Sequence, residues 1–210
     1  MAELIGGELM MECLANQGPD PVFSIPDGGY NCIFNWAHNN KDRGMRFITP
    51  RHEAAGAHMA DGYYRVTGRP AIAVAGAGPG AANLISGVIA AAGEDIPMIV
   101  LTTSRRSDLI SPDRGAMQNF NQPKAFGAIC KLSMFITRLE RIPSAVEIAY
   151  KAAMTGIPGP VHIDIPEDIF NSKIDMSGIE PTPRVEDSLM FAATGASEAA
   201  VEEAAKMIVD

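Results

Sequence analysis

The chain has 210 residues, 47% apolar and 20% charged, with a formal net charge of −8 at pH 7. That length suffices for a full α/β core, and the dispersed negative charge excludes the basic face that a nucleic-acid partner requires. Three cysteines without C-x-x-C spacing exclude a zinc site or disulfide framework, an N-terminus broken by Glu3, Glu8 and Glu12 excludes a signal peptide, and no apolar run is long enough to span a bilayer, so a reduced cytoplasmic protein is expected.

Taken in chain order, Gly7–Gln17 has the spacing of an amphipathic helix, and the apolar run Pro21–Ile25 predicts a buried strand. A helix over Tyr30–His38 and a strand over Met45–Ile48 follow. His52–Val66 predicts a helix rich in small side chains: Ala54, Ala55, Gly56, Ala57 and Ala60. The strand Ala71–Ala75 leads through a glycine-rich turn into a helix over Gly80–Ala92, and the strand Met98–Thr103 runs into a long polar loop. The strand Ser133–Thr137, the helix Ser144–Thr155 and the strand Val161–Ile165 complete the set. Apolar strands separated by helices imply a parallel β-sheet flanked by helices on both faces. Ligands of such sheets sit outside the carboxyl ends of the strands, so Pro26–Tyr30, Thr49–Glu53, Gly76–Asn83 and Thr103–Gln118 are the segments of interest. Beyond Asp168, the segment Asn171–Asp187 has two prolines and little periodicity and reads as a linker, and Ser197 caps a new amphipathic helix through Val209. The expected organisation is a folded domain over 1–170, a linker over 171–196 and the start of a truncated second domain over 197–210.

Four segments carry chemistry, each with a structural alternative. Gly76-Ala-Gly-Pro-Gly-Ala-Ala-Asn83 follows a strand and opens a helix, where bare backbone at a positive helix end suits an approaching ligand. Its Gly76, Gly78 and Ala81 fit the loose dinucleotide pattern, but Thr102, Thr103 and Ser104 stand where that pattern wants an acid, and a plain turn explains the segment equally. His52, Glu53 and His58 do not form a zinc-protease helix, because Gly56 holds the position one turn on from His52. Glu53 has a structural explanation, with Thr49 as N-cap, Pro50 in the first helical position and an acid complementing the helix dipole. The small residues after it point instead to close approach of another element or a cofactor, and both readings stand. Gln118 suits an exposed helix start or a substrate contact, and Arg105-Arg106 a solvated face or an anion site.

Together, and in order, Val22-Phe-Ser-Ile-Pro-Asp-Gly-Gly29, Arg51-His-Glu-Ala-Ala-Gly-Ala-His-Met-Ala-Asp-Gly-Tyr63, Gly78-Pro-Gly-Ala-Ala-Asn-Leu84, Ile96-Pro-Met-Ile-Val-Leu-Thr102 and Gly159-Pro-Val-His-Ile-Asp-Ile-Pro166 say more than any one alone. Through them the chain resembles the pyrimidine-binding N-terminal domain of thiamine-diphosphate-dependent enzymes of the acetolactate synthase, benzaldehyde lyase and pyruvate decarboxylase group. The resemblance implies that Glu53 hydrogen-bonds a ring nitrogen of the cofactor aminopyrimidine, favouring the imino tautomer that deprotonates the thiazolium carbon. It also implies that Pro79, Asn83 and Gly78 line the pyrimidine pocket, that Pro26, Gly28 and Gly29 flank the reacting centre, and that Gln118 points toward the substrate.

Departures from the family narrow the expectation. No adjacent histidine pair stands near Gln118 and no acid stands at Gly28, which turns the resemblance from pyruvate-type decarboxylases toward carboligases or lyases acting on 2-oxo acids or aldehydes. Ser24 and Asp27 replace glycines of the family loop. The G-D-G motif that binds diphosphate through Mg2+ is absent from the chain, so the resemblance implies a partner diphosphate-binding domain, from the same or another subunit of a homodimer or homotetramer, and leaves room for FAD in the complete enzyme. The expectation is a cofactor-activating fragment, inactive alone. The alternatives are a non-catalytic dimerisation module of the same fold, or one subunit of a split decarboxylase.

Overall fold

The computed structural model describes residues 3–18, 21–110, 115–184 and 198–209. Six strands form one parallel sheet: β2 (Pro21–Ser24), β3 (Arg46–Ile48), β4 (Ile72–Ala75), β5 (Ile99–Ser104), β6 (Leu132–Phe135) and β7 (Val161–Pro166), in the order β3-β2-β4-β5-β7-β6. The registers are continuous, with Val22 opposite both Phe47 and Ile72, and Leu101 opposite both Val74 and Ile163. The parallel sheet with helices on both faces is therefore as the sequence indicates.

The two faces of the sheet differ in the apolar side chains they carry. Ile72 and Val74 of β4, with Ile99 and Leu101 of β5, join one buried cluster with α1 (Gly6–Asn16), α2 (Asn31–Asn39) and α7 (Ile142–Met154). The alternate residues Ala73, Ala75 and Val100 face the opposite cluster with α3 (Glu53–Thr67), α4 (Pro79–Gly93) and α6 (Gln122–Gly127). One face is thus built of large side chains and the other of alanines, which brings α3 and α4 close to the sheet and to each other. They approach closely at Gly87, where a Cβ would lie 2.5 Å from Ala57 Cβ and 3.0 Å from the His58 backbone nitrogen.

Three elements refine or depart from the sequence expectation. The helix predicted over His52–Val66 begins at Glu53, with His52 as the N-cap, its Nδ1 accepting from the Ala54 N–H at 3.2 Å; the alternative start, capped at Thr49 with Pro50 in the first turn, does not form. The segment expected as a linker contains β8 (Lys173–Asp175), which pairs antiparallel with β1 (Glu3–Ile5), a strand too short to show a period. Further along, Thr182 is buried and its carbonyl accepts from Asn16 at 2.9 Å. The short helices α5 (Ser107–Ile110) and α8 (Glu167–Phe170) follow the carboxyl ends of β5 and β7. The remainder of the expected linker, 185–196, and the Ser197 cap lie outside the described residues; α9 (Glu198–Val209) is helical as expected, with residues 201–208 exposed. All three cysteines are buried and unpaired.

Alanine is favoured over glycine inside a helix by about 1 kcal/mol, yet Gly87→Ala is expected to destabilise the fold by about 1–3 kcal/mol, because the added methyl has no room against Ala57. Urea unfolding of the two proteins reads the sign directly.

Candidate functional site

The connection from β2 goes to β3 on one side, and the chain then returns past β2 to β4 on the other. Strand order therefore reverses at β2, and the loops leaving β2 and β4 diverge to open a crevice at their carboxyl ends. Every predicted site residue lies on a segment leaving one of β2, β3, β4 or β5 at this end of the sheet.

Glu53 is the first residue of α3, half-buried, at the positive end of the helix. Its Oε2 accepts from Asn83 Nδ2 on α4 at 2.9 Å. Its Oε1 has no partner among the described residues and faces the bare Cα of Gly80, where a Cβ would lie 3.4 Å away. One carboxylate oxygen is thus held while the other is presented beside uncluttered backbone. Gly78 has φ +68°, a conformation that disfavours any other residue, and Pro79 occupies the first turn of α4.

Gln118 stands against the same loop. A Cβ on Gly78 would clash with the Gln118 carbonyl oxygen, and Gln118 itself has a positive φ of +69°. For a non-glycine residue this is strained backbone, of the kind held only where its surroundings enforce it. Pro26 and Gly28 are exposed, while Gly29 is buried with its N–H donating to Asp27 Oδ1 at 2.8 Å. The Asp27 carboxyl also lies against Gly76, where a Cβ would be 2.6 Å from its Cγ. Asp27, a departure from the resembled family loop, therefore ties the β2 loop to the β4 loop. Behind it Tyr30 donates to the Ile25 carbonyl at 2.5 Å, and burial pushes its phenol well above the usual range.

The structure adds four residues that the sequence reading passed over. Gln122, buried at the start of α6, accepts from the Gly78 N–H at 3.1 Å and donates from Nε2 to Thr102 Oγ1 at 3.0 Å and Asp164 Oδ1 at 2.8 Å. Thr102 donates to Asp164 Oδ1 at 2.6 Å, and its oxygen lies 2.8 Å from His162 Nε2. Since the Thr102 proton goes to Asp164, His162 donates from Nε2 and accepts on Nδ1 from Ser133 Oγ at 2.8 Å. His162 also stacks on Phe126, with ring centroids 4.1 Å apart. The signals for these residues were present. Asn121 and Pro123 bracket Gln122 as an N-cap and first-turn proline, and His162 and Asp164 alternate with apolar residues, so they share one face of β7.

The sequence matches the family "Thiamine pyrophosphate enzyme, N-terminal TPP binding domain" over residues 5–125. The chain belongs to this family. Among its relatives, the acetolactate synthase large subunit of Haemophilus influenzae is 36% identical over 171 residues, covering 81% of this chain and 29% of that protein. The probable acetolactate synthase large subunit of Methanocaldococcus jannaschii is 32% identical over 98% of this chain and 34% of its own length. The mitochondrial acetolactate synthase catalytic subunit of Saccharomyces cerevisiae is 31% identical over 79% of this chain and 24% of its own length. The chain thus spans about a third or less of the length of these relatives. No helix among the described residues is long and apolar enough to cross a membrane.

The buried pair Asp164 and His162 makes a specific pH prediction. Burial raises the Asp164 carboxyl from 3.8 to about 7, opposed by hydrogen bonds from Thr102, Ser104 and Gln122, and burial lowers His162 from 6.5 to about 3. Between pH 4 and 6.5 the folded chain keeps a proton on Asp164 that the unfolded chain releases, so this group makes stability fall as pH rises. Over the same window the unfolded chain protonates His162 and the folded chain does not, so this group makes stability rise with pH. The two slopes oppose each other in the native protein. Urea unfolding from pH 4.5 to 7 is expected to show stability rising with pH in Asp164→Asn and falling with pH in His162→Gln, each more steeply than in the native chain.

Proposed function

We propose that this chain is the pyrimidine-binding, proton-moving part of a thiamine-diphosphate-dependent carboligase or lyase acting on 2-oxo acids or aldehydes. The observation that carries the reading is Glu53, whose Oε2 is fixed by Asn83 at 2.9 Å while Oε1 faces the bare backbone of Gly80. A purely dipole-complementing acid needs neither the clamp from the neighbouring helix nor the cleared space beside it. When bound, thiamine diphosphate supplies the electron sink for a substrate carbanion.

The residues present fit its pyrimidine ring. Glu53 Oε1 would share a proton with a ring nitrogen, and Asn83 would hold the carboxylate in the orientation for that exchange. Gly78 and Pro79 would form the wall of the ring pocket, with Pro26, Gly28 and Gly29 opposite at the β2 loop. Gln118, held against Gly78 in strained backbone, would present its carboxamide to the substrate, and these two residues would be the chain's catalytic pair. Mg2+ and the diphosphate would be held by a further domain, from the same polypeptide or a second copy in a homo-oligomer, as in the family resemblance; FAD would be an additional group of the complete protein. The likeness to acetolactate synthases favours 2-oxo acids as substrates.

In the complete polypeptide carrying a diphosphate-binding domain, Glu53→Gln is expected to slow deuterium exchange of the thiazolium C2 proton of bound thiamine diphosphate by about 10²–10⁴-fold, the range for loss of a positioned acid–base group. The exchange is read by quenched-flow NMR. An unchanged rate would remove Glu53 from the chemistry.

A further inference from the structure

The turn Gly76-Ala-Gly78 has more conformational freedom than its place in the site allows. Its two glycines leave many backbone states open, and Gly78 takes φ +68° with ψ −115°, a combination that only glycine adopts readily. The helix that follows inherits that choice. Gly78 is the N-cap of α4, its carbonyl accepting from the Ala82 N–H at 2.9 Å, and Asn83, the clamp on Glu53, lies on the same helix. The Gly78 N–H is buried and donates to Gln122 Oε1 at 3.1 Å.

The orientation of the Gln122 amide is forced by the sheet interior. Its Nε2 lies 3.0 Å from Thr102 Oγ1, 2.8 Å from Asp164 Oδ1 and 3.4 Å from the Thr103 carbonyl oxygen. Thr102 gives its own proton to Asp164 Oδ1, so all three atoms accept from Gln122. A flipped amide would set oxygen against these oxygens and Nε2 against the Gly78 N–H, donor on donor. Oε1 is therefore aimed at Gly78. The backbone beneath Gln122 is fixed as well: it is the first residue of α6, with Asn121 Oδ1 accepting from the Lys124 N–H at 3.0 Å and Pro123 in the first turn. The nearby Gln118 meets Gly78 at another point, where a Cβ would lie 2.7 Å from Gln118 Cβ and 2.8 Å from its Cα. One segment thus holds Gly78 twice, by the N–H through Gln122 and by the Cα through Gln118.

We propose that Gln122 is a positioning residue of the site: through the Gly78 N–H it fixes the one loop conformation that forms the pyrimidine wall and seats Gln118 beside it. This role rests on the reading of the crevice as a thiamine-diphosphate pocket. Gln122 takes no part in moving protons, since its amide is turned into the sheet and Glu53 has its own clamp in Asn83. Its effect is on binding. Without the acceptor the buried Gly78 N–H has no partner, and the loop leaves this conformation to regain one. Only the fraction of molecules that keep the loop in place then binds the cofactor, and the apparent Kd rises by the inverse of that fraction.

Gln122→Met keeps an unbranched side chain of similar length and removes its hydrogen bonds. In the complete protein carrying a diphosphate-binding domain, this variant is expected to raise the calorimetric Kd for thiamine diphosphate with Mg2+ about tenfold. At saturating cofactor its C2 deuterium exchange is expected to stay within about twofold of native, the pattern of a loss in binding alone. Val146→Ala, a truncation in the core on the opposite face of the sheet, also lowers stability and is expected to leave the Kd unchanged. An unchanged Kd in Gln122→Met overturns the proposal, as does equal weakening in Val146→Ala or a loss of exchange at saturation as large as that of Glu53→Gln. Where Glu53→Gln slows exchange as expected, an unchanged Kd removes Gln122 alone and leaves the cofactor reading standing. Where Glu53→Gln exchanges at the native rate, that reading falls and the role of Gln122 falls with it. NMR of the isotope-labelled native chain of 210 residues reads the bond directly, with the Gly78 amide expected to be protected from solvent exchange. A Gly78 amide that exchanges as freely as an open loop sinks the idea even where Gln122→Met fails to fold.

Discussion

The close approach of α3 and α4 is the constraint on which the rest of this structure depends. Asn83 on α4 reaches the first residue of α3 because the two helices lie nearly backbone to backbone, with Gly87 against Ala57 and alanines beneath them on the sheet. Larger side chains at these positions would have no room between the helices. The small residues after Glu53 therefore serve the carboxylate rather than merely accompany it. They also explain why this face of the sheet carries Ala73 and Ala75 while the other carries Ile72 and Val74. Hydrophobic stabilisation scales with buried apolar area, so the larger share rests on the α1 and α7 face, leaving the alanine face to set geometry.

The sheet and its helices were legible because their signal is local. Buried parallel strands read as short apolar runs, and the helices between them have the expected amphipathic spacing. The outlying strands β1 and β8 were not legible, since each has three residues and forms only by pairing across the length of the chain. The start of α3 was legible to within one residue of the predicted His52. Thr49 and Pro50 also satisfy the local rules for a helix start, but Pro50 is buried and packs close to Gly56, and the helix is capped by His52 instead. That start sets Glu53 in the first helical position.

At the site, residues that act through their own side chain were legible and residues that act through others were not. Glu53 and Asn83 stand in recognisable motifs beside a glycine-rich turn. Gln122 stands between them and the sheet interior, and its importance lies wholly in three partners from three different segments, Gly78, Thr102 and Asp164. No spacing rule brings residues 44 and 42 positions apart into one hydrogen-bonded group. Asp27 is similar: as a letter in the sequence it is only a departure from the family loop, and the fold shows it bracing that loop against Gly76.

Gln122 also joins the two ends of the carboxyl edge of the sheet. Its Oε1 holds the Gly78 N–H, beside the crevice, and its Nε2 holds Asp164, buried on β7. A hydrogen bond to a carboxylate is stronger than one to a neutral acid, so ionisation of Asp164 tightens the Nε2 contact and polarises the amide. An amide polarised at nitrogen is a better acceptor at oxygen, and the bond to Gly78 strengthens with it. Gly78 is the residue whose left-handed backbone shapes the loop opposite Glu53, and whose Cα lies against Gln118. A buried carboxyl of β7 and the loop beside the candidate cofactor pocket are thus linked through one side chain.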